Sequence, residues 1–140
     1  MESNLSAARF ERVDRSLASG TSLVRWRNYF GKPRSPGDML SRLWALYGPP
    51  DWVGFEGFDY TFRDRETGLV FTAYSAGSDP AFGGHRQDIV NLSPVLDTFE
   101  ELLNATRPAD CEIQYETDFG VLRSGARDGV AFDELVEAEE

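Results

Sequence analysis

The chain has one cysteine, one histidine and one lysine in 140 residues. The lone Cys111 excludes an internal disulfide framework, which leaves stability to the packed core and fits a reducing compartment. His85 and Cys111 are too few for a zinc site made of His and Cys ligands. His85 is also the one base open to a Ser-His-Asp constellation, and no G-x-S-x-G elbow accompanies it. Carboxylates alone can hold calcium or magnesium, but no D-x-D-x-D-G loop occurs. No apolar run approaches the roughly 18–20 residues of a membrane span. The first sixteen residues, MESNLSAARFERVDRS, carry an acid at position 2 and no apolar stretch, so they do not read as a secretory signal. Repeats, interdomain linkers and low-complexity tracts are also missing. These absences predict a soluble cytoplasmic protein without cofactor, metal site or membrane partner.

What is present is an aromatic core and an uneven charge. Eighteen aromatics and an apolar fraction of 41% belong to a globular protein rather than a disordered acidic chain. The length fits one domain over 1–140, with a basic N-terminal helical segment (1–34), an α+β core (35–131) and an acidic tail (132–140). Residues 1–48 hold eight Arg or Lys against four Asp or Glu, whereas 49–140 hold six against twenty. A segment so acidic repels itself, and its clearest use is attraction to a cationic partner. Pairing between the two halves also serves to orient the basic third on the domain.

Periodicity predicts the elements. Phe10, Val13 and Leu17 at i, i+3 and i+7 read as a short helix over 5–18, loosely docked by a thin apolar stripe. Residues 23–30 fit strand or helix. Ser35 as N-cap, Pro36 at the first helical position and Asp38 open a helix that Gly48-Pro49-Pro50 ends. Phe58, Tyr60 and Phe62 alternate with Asp59, Thr61 and Arg63. With the Asp64–Gly68 turn and Leu69–Tyr74 they predict an antiparallel hairpin over 57–75. Gly77–His85 reads as a glycine-rich loop. Ser93-Pro94 announces a second helix with Val95, Leu96, Phe99, Leu102 and Leu103 on one face, ended by Arg107-Pro108. Cys111, Ile113 and Tyr115 mark a third strand, residues 119–123 a fourth, and 132–140 a weak acidic helix or frayed end. The expected fold is α+β, an antiparallel sheet of about four strands against two to three helices.

Each candidate chemistry has a plainer reading beside it. Cys111 sits mid-strand with the apolar side chains and reads as a small hydrophobe. The loop 77–85 carries three glycines but matches neither a Walker A loop nor a dinucleotide fingerprint, so it reads as a long turn that presents Phe82. Arg25-Trp26-Arg27-Asn28-Tyr29-Phe30 has the composition of a single-strand nucleic-acid surface. In a chain of net charge −10 the preferred reading puts its aromatics in the core and pairs its arginines with acids, with no nucleic-acid binding. Glu112 and Glu116 share one strand face, read as solvated. Glu56, Asp59, Asp64 and Glu66 on the hairpin, with Asp79, Glu112, Glu116 and Asp118, are the candidate negative surface for a cationic protein. Trp52, Phe55 and Phe82 are its candidate anchors. The alternative is a small enzyme or ligand-binding domain whose pocket lies between hairpin 57–75 and loop 77–85 and holds His85, Asp79 or Glu116.

Three runs carry a family likeness. They are Leu46-Tyr47-Gly48-Pro49-Pro50-Asp51, then Gly57–Asp64, then Thr67–Ser75, with a later run from Asp110 to Gly120. Over roughly residues 40–130 the chain resembles the small α+β immunity proteins of bacterial polymorphic and contact-dependent toxin systems. The resemblance implies a cytoplasmic, non-enzymatic protein that binds and blocks a cognate toxin domain, often in its active site. The acidic half suits a cationic, nuclease-like toxin.

Overall fold

The structure is a computed structural model that describes residues 6–29, 32–33, 35–77 and 79–136. Its strands and helices run β1 (Phe10–Arg12), β2 (Ser22–Trp26), β3 (Asn28–Tyr29), β4 (Lys32–Pro33), α1 (Pro36–Tyr47), β5 (Trp52–Gly54), β6 (Gly57–Asp64), β7 (Val70–Ala76), β8 (Asp79–Gly84), α2 (Ile89–Asn104), β9 (Cys111–Thr117), β10 (Gly120–Arg127) and β11 (Val130–Val136). Among these residues nine strands form two antiparallel sheets, and β3 and β4 make a separate two-residue ladder. The fold is α+β as expected, with far more sheet than four strands and two α-helices.

Hairpin 57–75 is the centre of the larger sheet, whose order is β1-β6-β7-β8-β2. Strand β5 shares the β1 edge of β6, pairing Trp52 with Asp59 while β1 pairs Phe10 with Asp64 at the other end. The even positions of β6 (Phe58, Tyr60, Phe62) and Phe71 and Ala73 of β7 are buried in the core. Phe99 of α2 sits at its middle, with ring centroids 4.9 Å from Phe10, 5.1 Å from Phe62 and 5.0 Å from Phe71. Such tilted and edge-on pairs add to the gain from area alone. The second sheet, β9-β10-β11, packs against α1 and joins the same core through Tyr115 and Leu122.

Helix α1 begins as expected, with Ser35 accepting the Asp38 N–H and Pro36 in the first turn. Gly48 closes it with φ +83°, where a β-carbon would strain. Its Arg42 donates to the carbonyls of Leu103, Asn104 and Thr106, so one side chain caps the end of α2.

Several expectations are corrected. The helix expected over 5–18 is absent. Residues 7–9 and 15–18 are single 3-10 turns around β1, because Phe10 enters the aromatic core and its strand zips onto β6. The glycine-rich segment is not a loop but strand β8. Added β-carbons would lie 2.5 Å from the Thr72 hydroxyl at Gly83 and 2.3 Å from Leu92 at Gly84. These glycines therefore permit close packing within a sheet. Helix α2 starts at Ile89, before Pro94; the carbonyl that the missing N–H leaves free belongs to exposed Val90, in the first turn. Residues 130–136 are a strand rather than a helix or frayed end, held along their length by β10. Positions 137–140 of the expected tail lie outside the described residues. Trp26, expected in the core, is 50% exposed, while the side chains of Tyr29 and Phe30 lie outside the described residues. Among the described residues no helix is long and apolar enough to cross a membrane.

Candidate functional site

The basic third of the chain is spent on the acidic remainder. Arg9 pairs with Asp64 and Glu66, Arg12 with Asp51, Arg15 with Asp59, and Arg25 with Asp97. On the outer side of the second sheet Glu112 faces Arg123 and Arg127. Arg27 and Arg42 converge on Asp38 at 2.6 and 2.9 Å. Of the candidate partner-binding acids, Asp59, Asp64, Glu66 and Glu112 thus have cationic neighbours in the chain.

Two candidates leave the surface altogether. Asp64, expected on an exposed turn, is fully buried. Burial by itself pushes its carboxyl up, but the Arg9 guanidinium, the Thr67 hydroxyl and the Glu66 N–H together hold it below the usual aspartate value. Phe82, expected to face a partner, is also fully buried, with its ring edge-on to Phe99 at 5.9 Å. The alternation of β8 turns it inward, so its flanking glycines do not make it accessible.

The remaining acids gather at one end. The Glu56 N–H donates to the Glu116 carbonyl at 2.7 Å, and the Gly77 N–H donates to the Glu56 carbonyl at 2.6 Å. These bonds bind the β5–β6 turn to β9 and to the β7–β8 turn. Glu56, Asp79, Glu116 and Asp118 lie on these turns and strand ends, and none has an ion pair among the described residues. Two aromatics accompany them: Phe55 is 57% exposed and Phe119 is 87% exposed. Glu56 has φ +69°, a left-handed conformation uncommon outside glycine.

Trp52 and Asp59 belong to a different feature. Residues 14–22 cross the outer face of the hairpin as a strap, tied by the Val13 N–H to the Thr61 carbonyl. Between strap and sheet lies a cavity of about 580 Å³. Arg15 and Asp59 stand at its wall, joined by two hydrogen bonds of 3.0 and 2.9 Å, with the Arg15 guanidinium 5.2 Å from the Trp52 ring centre. Cross-strand partners Thr61 and Thr72 form the floor with Tyr74. The alternation of β6 predicts a solvated outer face there, yet the strap buries Thr61 and Thr72. His85, Asp79 and Glu116, expected in a pocket beside the hairpin, do not line it. His85 instead lies with Nε2 3.0 Å from the Leu17 carbonyl, on the strap.

Among the described residues, no three His, Cys, Asp or Glu side chains are grouped to hold a metal ion. Burial pushes the Cys111 thiol up to about 11, which makes it a poor nucleophile at neutral pH.

Sequence reasoning missed Phe119, Arg15 and the paired threonines. Phe119 has a signal: an aromatic beside glycine in a tight turn has no sheet face to bury it. Arg15 and Thr61 have none, because the strap that joins them follows no period. No protein-family model, curated protein or solved structure matches this chain.

Proposed function

We propose that this chain is a non-enzymatic binding protein that captures a cationic protein domain at the end formed by Glu56, Asp79, Glu116 and Asp118 with Phe55 and Phe119. The observation that carries the reading is the contrast in charge compensation. Arg9 covers Asp64, Arg15 covers Asp59 and Arg127 covers Glu112, whereas among the described residues these four carboxylates have no ion pair and cluster at one end with two exposed aromatic rings. Uncompensated charge steers a partner of opposite sign, and exposed aromatics supply contact area at low entropic cost. The immunity-protein resemblance names the partner's class, a cognate toxin domain in the cytoplasm of the producing cell. Blocking such a domain needs binding alone, so no catalytic group is required of this chain.

Coexpression with the product of the neighbouring gene, followed by copurification, tests the reading. Capture that weakens as salt rises from 50 to 500 mM, and that Glu116→Lys with Asp118→Lys abolishes, supports it. Failure to bind that neighbour, together with no protection from its toxicity, removes it. A complex indifferent to both the charge reversals and Phe119→Ala moves the interface elsewhere.

A further inference from the structure

We propose that the cavity beneath the 14–22 strap binds a small, neutral, polyhydroxylated ligand, in chemical class a sugar ring. The site and its ligand are independent of the partner-docking reading above.

The lining decides the class. Its charged side chains are Arg15 and Asp59, and they neutralise one another through two hydrogen bonds. An anionic ligand would compete with Asp59 for the guanidinium, and a cationic one with Arg15 for the carboxylate. Either must break a pair that the Trp52 ring helps to hold. A neutral ligand leaves the pair intact and can still accept from the guanidinium and donate to the carboxylate, both of them charge-assisted bonds.

The rest of the lining is rich in hydroxyls. The strap contributes Ser16, Ser19, Thr21 and Ser22, and the outer face of the sheet contributes Thr61, Thr72 and Tyr74. A hydroxyl both donates and accepts, so a set of them matches a ligand made of the same groups. Trp52, 39% exposed, adds apolar surface for ring C–H groups. The cavity, at about 580 Å³, falls in the range of about 300–1,000 Å³ typical of small-molecule sites.

One observation indicates that the site is built for a polar occupant. Thr61 is 1% exposed and its Oγ1 has no hydrogen-bond partner, although its backbone N–H and carbonyl are both satisfied by Asp51 and Val13. A buried hydroxyl left unpaired is destabilising, and valine would fill the same volume on a β-strand without that penalty. Threonine at this position is a cost to the fold that a polar ligand under the strap can recover.

Thermal denaturation and tryptophan fluorescence of the full chain, titrated with glucose, galactose and maltose, test the proposal, with glucose 6-phosphate as the charged control. We expect at least one neutral sugar to raise Tm in a saturable way and the phosphorylated sugar to bind about tenfold more weakly or not at all. Thr61→Val is expected to raise the Tm of the free protein while weakening sugar binding by about tenfold. Asp59→Asn is expected to weaken binding without unfolding the chain, and Thr72→Val is the second probe should either variant misfold. Glu116→Lys with Asp118→Lys leaves the sugar response unchanged, which separates this site from the acidic end. Absence of any saturable response to the neutral sugars overturns the proposal. So does undiminished sugar binding in folded Thr61→Val and Thr72→Val, or stronger binding of the phosphorylated control.

Discussion

Arg9 donates from Nε to Asp64 Oδ1 at 2.8 Å and from Nη2 to Oδ2 at 3.2 Å, a two-point contact across 55 positions of sequence. The same carboxylate accepts the Thr67 hydroxyl at 2.7 Å, so one buried group both closes the β6–β7 turn and fixes the chain that leads into β1. Removing one partner of a buried pair leaves the other uncompensated. Asp64→Ala is therefore expected to cost about 3 kcal/mol and to lower Tm by about 10 °C. A thermal melt that shifts by less than about 2 °C would show that water replaces the carboxylate without penalty.

The same carboxylate makes stability depend on acid. Its folded pKa lies below its unfolded value, so its contribution is complete above the unfolded value of about 3.9 and is lost as pH falls through the lower folded value. Denaturant melts of wild type and Asp64→Asn should differ by a constant amount above about pH 5 and converge below about pH 4. A gap that widens on acidification would contradict the sign.

Gly37 lies where α1 meets the second sheet. A β-carbon there would sit 2.2 Å from the Phe132 carbonyl oxygen and 2.8 Å from that of Gly125, both main-chain atoms that cannot swing aside. The Gly37 N–H also donates to Asp133 at 2.9 Å, which fixes the helix start in place. Gly37→Ala, ordinarily favourable in a helix, is expected to destabilise by about 1–3 kcal/mol by forcing helix and sheet apart. Equilibrium urea unfolding measures this directly, and a stabilised variant would refute the close approach.

The parts of the fold that sequence made legible are those with a period. Phe58, Tyr60 and Phe62 revealed β6, and Val95, Leu96 and Phe99 revealed the buried face of α2, because burial selects side chains at fixed spacing. Gly83 and Gly84 misled for a physical reason. Glycine signals a turn through its freedom in φ, but here it serves by lacking a side chain against Thr72 and Leu92. The acids were legible as a class and not as a surface. Which carboxylates remain uncompensated depends on Arg9 and Arg15 reaching β6 and on Arg25 reaching α2, and such pairing leaves no local pattern. The cavity was illegible for the same reason, since the strap that roofs it is built on a single 3-10 turn (residues 15–18) without periodicity.

Cys111 supplies a chemical test of the second sheet. With its thiol pushed up to about 11, the thiolate fraction at pH 7.5 falls two to three orders of magnitude below that of an unperturbed cysteine near 8.5. Alkylation by iodoacetamide should be slower by about that factor in the native protein and should recover in urea. Rapid native modification would mean that β9 opens readily from the core.

Glu56 links backbone strain to the acidic end. Its φ of +69° is one that glycine adopts freely and glutamate does not, yet both of its main-chain groups are engaged, with Glu116 and Gly77. Holding a non-glycine residue there costs about 1 kcal/mol or more, partly offset by the greater chain entropy that glycine brings to the unfolded state. Glu56→Gly is therefore expected to leave stability unchanged or raise it by up to about 1 kcal/mol. If the strained position exists to present a carboxylate between Phe55 and Glu116, the same variant should weaken capture of the cationic partner. Urea unfolding reads the first effect and copurification the second. A stabilised variant that still captures its partner at full strength would separate the strain from the function and remove Glu56 from the docking surface.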